Sequence, residues 1–293
     1  MNEDFIKAGK IASQAREYGR TLIKENASVL EIAEKVEKKI LDLGGQIAFP
    51  VDVSCNQIAA HDSPRYKDDR VLLKGDLVKL DLGAHLNGNI VDTACTVEIG
   101  TKKYYEMIQV VEEALNNAIK LATPGRKIYE IGNAIEETIV SKKFSPVRNL
   151  SGHEIDNYIL HAGLTIPNYN NGNKTELKEG QIFAIEPFAT YGDGIVVEGK
   201  PSEVYGLNIE KPVRDANAKM ILKHIKENYK TLPFCKRWIA NKFNLLKANL
   251  VLNTLEKEGI VRQYMQLVER SKANVSQAEH TIVVSDKPIV LTK

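Results

Sequence analysis

Residues 78–97, VKLDLGAHLNGNIVDTACTV, decide the fold. Two runs of strand-forming residues flank HLNGN, and each mostly apolar run carries one aspartate, Asp81 and Asp92. The Asn87-Gly88 dipeptide is a strong signal for a two-residue hairpin loop. With those two residues as the loop, Leu86 faces Asn89, Asp81 faces Ala94, and Asp92 lies two residues further along its strand. Side chains alternate faces with period 2, so both carboxylates point to the same side of the sheet as diagonal neighbours. A four-residue loop would pair them directly. A carboxylate in an apolar strand is costly unless something offsets its charge, so either these strands are exposed or a cation waits beside them.

The rest of the 293-residue chain is long enough for one large or two modest domains. Its composition, 43% hydrophobic and 27% charged, is that of a soluble globular protein, and a net charge of +2 singles out no partner. Cys55, Cys95 and Cys235 are scattered and lack metal-motif spacing, which suggests reduced thiols in a cytosolic compartment. The acidic start MNEDF is no signal peptide, and no apolar run approaches the 18 or so residues that span a membrane.

Periodicity predicts a helix over 3–24 and a second opened by the capping-box pattern SVLE (28–31) and closed near Gly44-Gly45. QIAFPVDVS reads as a strand that Pro50 holds at an edge or a bulge. After the hairpin come helices at 102–122, stopped by Pro124-Gly125, and at about 127–143. Strands and loops alternate to about residue 200, residues 212–258 turn helical, and two last strands surround QAEHTIVVS and KPIVLT. A faint repeat links LKGDLVKLD, ending at Asp81, with KEGQIFAIE, ending at Glu186: each has Gly, a polar residue, an apolar strand and a carboxylate six residues past the Gly. If real, two half-domains with a helix pair behind each deliver a carboxylate to one shared centre.

Four carboxylates stand in strand contexts, Asp81, Asp92, Glu186 and Glu279, and His153 follows Gly152 in NLSGHEI. Hard oxygen ligands with one imidazole suit two dications of manganese, iron, cobalt or zinc, and four carboxylates neutralise two such ions. A hydroxide shared by two metals is a strong nucleophile at neutral pH. A lone strand carboxylate is ordinarily solvated and a lone loop histidine is ordinarily polar surface, so spacing alone leaves a metal site and a solvated face both open.

The segments AFPVDVSCNQIAAH, LKGDLVKLDLGAHLNGNIVDTA, NLSGHEIDNYILHAG, KEGQIFAIEPFAT and QAEHTIVV together resemble the methionine aminopeptidases, specifically the type 2, archaeal-like branch of the pita-bread metallopeptidases. The resemblance covers nearly the whole chain. It implies an α+β pita-bread fold: pseudo-twofold halves, with antiparallel sheet backed by helices. It also assigns roles. Asp81 chelates one divalent metal ion, Asp92 and Glu279 bridge both, and His153 and Glu186 complete the other shell. Glu186 moves the proton of the attacking bridging hydroxide toward the leaving amine. His61 and His161 contact substrate and stabilise the tetrahedral oxyanion. Phe49 and Pro50 wall the methionine pocket, with Tyr264 at its rim.

The 92 residues between Glu186 and Glu279 exceed what a hairpin needs. The stretch 206–262 resembles the inserted helical subdomain of type 2, leaving 1–205 and 263–293 as the catalytic domain. That insert holds 12 Lys/Arg and 5 Asp/Glu, a net of +7 that leaves −5 for the rest. It is either a solvated helical surface or a basic patch for transient ribosome contact. The chain starts at its first helix, as archaeal forms do. The resemblance implies a cytoplasmic monomer, not a membrane protein, that trims the initiator methionine from the N-terminus of nascent polypeptides when the second residue is small. The alternatives are a prolidase or X-Pro aminopeptidase of the same fold, which usually carries a sizeable preceding domain, and a non-catalytic ribosome- or RNA-binding relative, which would have lost metal ligands.

Overall fold

A computed structural model describes residues 2–293. Helix α1 (Glu3–Leu22) starts where the Asn2 side chain accepts the Asp4 N–H, with Glu3 and Asp4 placed favourably against the positive helix end. In α2 (Val29–Asp42) the Ser28 hydroxyl accepts the Glu31 N–H at 3.3 Å, and Val29, Ile32, Ala33, Val36 and Ile40 fall on one buried face. Strand β1 (Gln46–Cys55) leads through β2 (Ile58–Ala60) to the hairpin of β3 (Leu77–Leu86) and β4 (Asn89–Glu98).

The hairpin has the predicted register, with Leu86 opposite Asn89 and Asp81 opposite Ala94. Asn87 and Gly88 both take positive φ, 52° and 84°, which a two-residue turn of this hand requires. Strand β1 lies on the outer edge of β3, and its register slips between Phe49 and Asp52, across Pro50. Proline has no N–H for the ladder, so it sits at the bulge. The pair α1–α2 covers this sheet with Phe5, Ile32 and Val36 packed on Leu80 and Leu82.

Helices α3 (Tyr105–Leu121) and α4 (Ile128–Ser141) form the second pair. Short strands follow: β5 (Ser145–Pro146), β6 (Ser151–Glu154), β7 (Thr165–Pro167), β8 (Ile182–Ile185), β9 (Phe188–Thr190) and the longer β10 (Val196–Leu207). Met107, Val111, Ile131 and Ile135 of the helix pair pack on Phe183 and Ile185. The predicted helical stretch resolves into α5 (Ala216–Asn228), α6 (Lys236–Phe243) and α7 (Leu245–Lys257), interrupted by β11 (Phe234–Cys235), which pairs with β10. These helices share a core of Ile221, Ile225, Phe234, Ile239, Leu252 and Leu255. Arg237 of α6 is buried against Glu37 of α2 at 2.6 Å, and Trp238 Nε1 donates to the same carboxylate at 3.0 Å.

The C-terminal part departs from expectation. Four strands are present there: β12 (Val261–Glu269), β13 (Val275–Gln277), β14 (His280–Val283) and β15 (Ile289–Val290). The QAEHTIVVS segment breaks at Ala278-Glu279 because the Glu279 N–H turns aside to the Ala94 carbonyl at 3.1 Å. Strand β12 runs along β10 and also borders β2.

The faint repeat is a repeated turn. Gly75 and Gly180 sit at φ 92° and 83°. Their N–H groups donate to Ile99 and Val284 carbonyls, each at 2.8 Å. Ile99 N–H returns to Asp76 O, as Val284 N–H returns to Gln181 O. The Asp76 and Gln181 side chains accept the N–H of Leu73 and Lys178 respectively. Each turn launches a strand toward the same centre, β3 toward Asp81 and β8 toward Glu186.

Candidate metal centre

One cavity of about 460 Å³ is lined by Asp81, Asp92, His153, Glu186 and Glu279 together with Phe49, Pro50, His61, His161 and Tyr264. Every residue singled out from the sequence therefore reaches the same space. Asp92, His153 and Glu279 offer ligand atoms within 4.8 Å of one another. His153 Nε2 lies 3.6 Å from Asp92 Oδ2 and 3.9 Å from Glu186 Oε1.

The local structure explains the convergence. Asp92 projects from mid-strand, with its own N–H donated to Thr281 Oγ1 at 2.7 Å while that hydroxyl returns to Asp92 O at 2.8 Å. Thr93 Oγ1 donates to Glu279 O at 2.9 Å, and Thr96 exchanges hydrogen bonds with the Gln277 backbone. These threonines stitch the break between β13 and β14 onto β4, which sets Glu279 beside Asp92. His153 comes in on β6, directly opposite Ala184 of β8. Gly152 before it is required by close approach: a Cβ there would run into the Ala184 carbonyl. Glu186 follows the last residue of β8.

Burial pushes all four carboxyls up. Asp92 is raised to about 7 by desolvation. Asp81, Glu186 and Glu279 rise well above their ordinary values, first through desolvation and then through each other's charge. Burial lowers His153 to about 4, so its imidazole is neutral and able to ligate. Asp81 Oδ1, Asp92 Oδ1, Glu279 Oε2 and His153 Nδ1 are buried without a hydrogen-bond partner among the described residues. Four clustered carboxyls, three of them with orphaned oxygens, around a neutral imidazole fit divalent cations.

His61 and His161 differ. His61 holds φ 64°, and its Nδ1 stands 3.0 Å from Met265 O. A carbonyl only accepts, so Nδ1 carries the ring proton. Burial lowers the His61 pKa, the ring is neutral, and Nε2 is an acceptor. With Nδ1 engaged by Met265 O, a neutral His61 ring turns Nε2 toward the cavity as an acceptor. Tyr264 meets it edge-on, ring centroids 5.6 Å apart. His161 packs edge-on against His153 at 4.3 Å and is open to the cavity. Its pKa is lowered by desolvation and then by His153 and His61, and its ring N–H has no partner among the described residues. It lies in the loop between β6 and β7. Tyr158 in that loop is anchored to the hairpin tip by its N–H on Gly88 O at 2.9 Å.

Sequence reading missed two side chains. Gln277 Nε2 donates to Asp81 Oδ2 at 3.0 Å. Asp52 of β1 stands directly opposite Asp81 and lines the cavity. Its signal, a lone carboxylate in the apolar run AFPVDVS, was the one that exposed Asp81 and Asp92.

The family model described as metallopeptidase family M24 matches residues 3–214. A methionine aminopeptidase of Pyrococcus abyssi is 44% identical over 291 residues, 99% of this chain and 98% of that one. Among solved structures, the methionine aminopeptidase of Thermotoga maritima superposes with a TM-score of 0.73 at 23% identity, covering 99% of this chain and 96% of its own. A thermophilic Arx1 reaches 0.85 at 15% identity, covering 99% and 89%. The two structural likenesses establish the fold, the pita-bread arrangement of helix-backed antiparallel sheet.

Proposed function

The chain belongs to metallopeptidase family M24, among the methionine aminopeptidases, and from that premise we propose that it removes the initiator methionine from nascent proteins whose second residue is small. One observation carries the reading: the five candidate ligands and the apolar wall of Phe49 and Pro50 share a single cavity. Asp81 would hold one dication, Asp92 and Glu279 both, and His153 and Glu186 the other. Bound there, two dications would polarise a carbonyl and lower the pKa of water to about 7.

The remaining work falls to side chains. Phe49, Pro50 and Tyr264 enclose the thioether side chain. Glu186 takes the proton of the attacking water and passes it to the leaving amine. The His161 N–H donates to the oxygen that becomes negative in the tetrahedral state, where such a donor is worth roughly 100- to 1000-fold in rate. His61 Nε2 accepts an N–H of the bound peptide backbone. This acceptor role replaces the donor role for the reason given by Met265 O.

We further infer that 206–262 is the inserted helical subdomain, with 1–205 and 263–293 as the catalytic domain. Lys236 pairs with Glu203 and Arg237 with Glu37, so those two charges serve the interior. The exposed lysines, among them Lys219 and Lys223, remain for transient contact with the ribosome. No helix among the described residues is long and apolar enough to cross a membrane, and the proposed substrate emerges in the cytoplasm.

The test is to incubate the metal-loaded protein with Met-Ala-Ser, acetyl-Met-Ala-Ser and Ala-Pro-Ala and to identify the products. Release of methionine from the first alone is expected. Cleavage of Ala-Pro-Ala instead would make the chain a prolidase-like enzyme, and cleavage of neither peptide a binding protein.

A further inference from the structure

Asp52 is 6% exposed and sits on β1 directly across from Asp81 of β3. Side chains so placed lie about 4.5–5.5 Å apart at Cβ, and like charges there repel. The two carboxylate oxygens have different surroundings. Oδ2 accepts the His61 N–H at 2.9 Å, a bond that helps hold His61 at its left-handed φ of 64°. Oδ1 is buried and has no partner among the described residues. Among the described residues no lysine, arginine or histidine forms an ion pair with Asp52, whereas its neighbour Asp62 is matched by Arg70 at 2.8 Å. Asp52 nevertheless lines the cavity beside Phe49, Pro50, His61 and Asp81.

The charges leave Asp52 over. Two dications neutralise Asp81, Asp92, Glu186 and Glu279, and Asp52 is a fifth carboxylate in the same space. Its Oδ1 is left facing the cavity with no partner among the described residues. The peptide terminus proposed to enter this cavity brings N–H donors and, as an ammonium, one positive charge.

We propose that Asp52 is a substrate-binding residue whose Oδ1 accepts a hydrogen bond from the α-amino group of the bound peptide. The inference rests on the aminopeptidase reading above. It gives the chain's own residues a means of demanding a free N-terminus: an acetylated terminus keeps one N–H, loses its charge, and brings a carbonyl toward two carboxylates. The assignment also explains the asymmetry of the side chain, with one oxygen spent on fixing His61 and the other left for the ligand.

The experiment uses Asp52→Asn in the metal-loaded protein. Asparagine preserves shape and keeps an oxygen for the His61 N–H, so the variant removes the charge and turns the Oδ1 acceptor into an N–H donor. The probes are Met-Ala-Ser as substrate, with L-methionine and its desamino analogue 4-(methylthio)butanoate as inhibitors. A charge-assisted hydrogen bond predicts that Asp52→Asn weakens L-methionine and raises KM for Met-Ala-Ser by about 10- to 100-fold. The desamino analogue should bind the variant and the parent alike. Equal weakening of both inhibitors, or no change for either, overturns the proposal. Loss of bound dication from the variant by elemental analysis overturns it too, placing Asp52 in the metal shell. Should the variant fail to fold, the parent protein still decides one direction, because equal affinity for L-methionine and the desamino analogue refutes any amine-binding group. If the parent leaves Met-Ala-Ser intact yet Asp52→Asn selectively weakens L-methionine, the functional reading fails while this inference stands.

Discussion

The two carboxylate pairs arrive at the same centre by opposite routes. Asp81 and Asp92 ride a hairpin closed by two residues, and their relation follows from a local register. Glu186 and Glu279 flank the end of the β8–β14 ladder, where Ile185 pairs with His280, and 92 residues of chain separate them. The launching turns at Gly75 and Gly180 match bond for bond, so the difference lies in connection and not in geometry. The distant pair needs extra fastening, and the threonine stitches from Thr93, Thr96 and Thr281 supply it. Loop-closure entropy makes the hairpin pair the cheaper one to assemble.

Removing the shared ligands is the strongest way to break this comparison. Asp92→Asn and Glu279→Gln should each reduce peptide turnover to background and weaken both dications, because each carboxylate is assigned to both ions. Elemental analysis with metal titration reads the outcome. If Glu279→Gln loses one ion while Asp92→Asn loses two, the halves are not equivalent and Glu279 is not shared.

His161→Ala comes next. Its loop is tied to the hairpin tip through Tyr158 and Gly88, yet its ring makes no hydrogen bond among the described residues. Turnover should fall roughly 100- to 1000-fold, mainly in kcat, with metal content and melting temperature near those of the parent. A near-normal kcat with a sharply lower melting temperature would move His161 from the chemistry to the scaffold.

The same contrast governs what the sequence disclosed. The hairpin, its register and the Asp81–Asp92 relation were readable because alternation and an Asn-Gly loop act over 20 residues. The bulge at Pro50 was readable because the missing N–H is a property of one residue. Glu186, Glu279 and His153 could be assigned only through the resemblance, since nothing local tells which distant strands meet. The break at Ala278-Glu279 escaped because its cause is a tertiary bond to Ala94 O. The tie of His61 Nδ1 to Met265 O escaped for the same kind of reason: Met265 is 204 residues away. Asp52 was missed despite a local signal.

Acidity offers a third test, on stability. In the metal-free protein, burial and mutual repulsion raise the four carboxyls above their unfolded values, Asp92 from 3.8 to about 7. Across that window these carboxyls bind more protons in the folded state than in the unfolded one, so their contribution to stability falls as pH rises. Buried His85, His153 and His280, lowered to about 4, act in the opposite sense only below about 6.5, so metal-stripped protein should melt at a lower temperature at pH 8 than at pH 6.5, and added dication should reverse the order. The slope should shrink in both Asp92→Asn and Glu279→Gln. Shrinkage in only one would show that one half carries most of the repulsion.

The smallest effect tests the equivalence of the halves most directly. Gly75 and Gly180 adopt φ 92° and 83°, and a Cβ at either would meet nothing within 4 Å. Alanine at either position is therefore penalised by backbone conformation alone, at about 1 kcal/mol. Gly75→Ala and Gly180→Ala should lower the melting temperature equally, by about 2 °C for a chain of this size, and the double variant should be additive. Kinetics should then separate what equilibrium equates. If the β3–β4 hairpin forms early because its loop is short, Gly75→Ala slows folding. Gly180→Ala, in a pairing that waits for the 92-residue connection, mainly speeds unfolding. Stopped-flow folding and unfolding rates for the two variants decide it, and identical partition between the rates would mean that the two routes to the centre are crossed together.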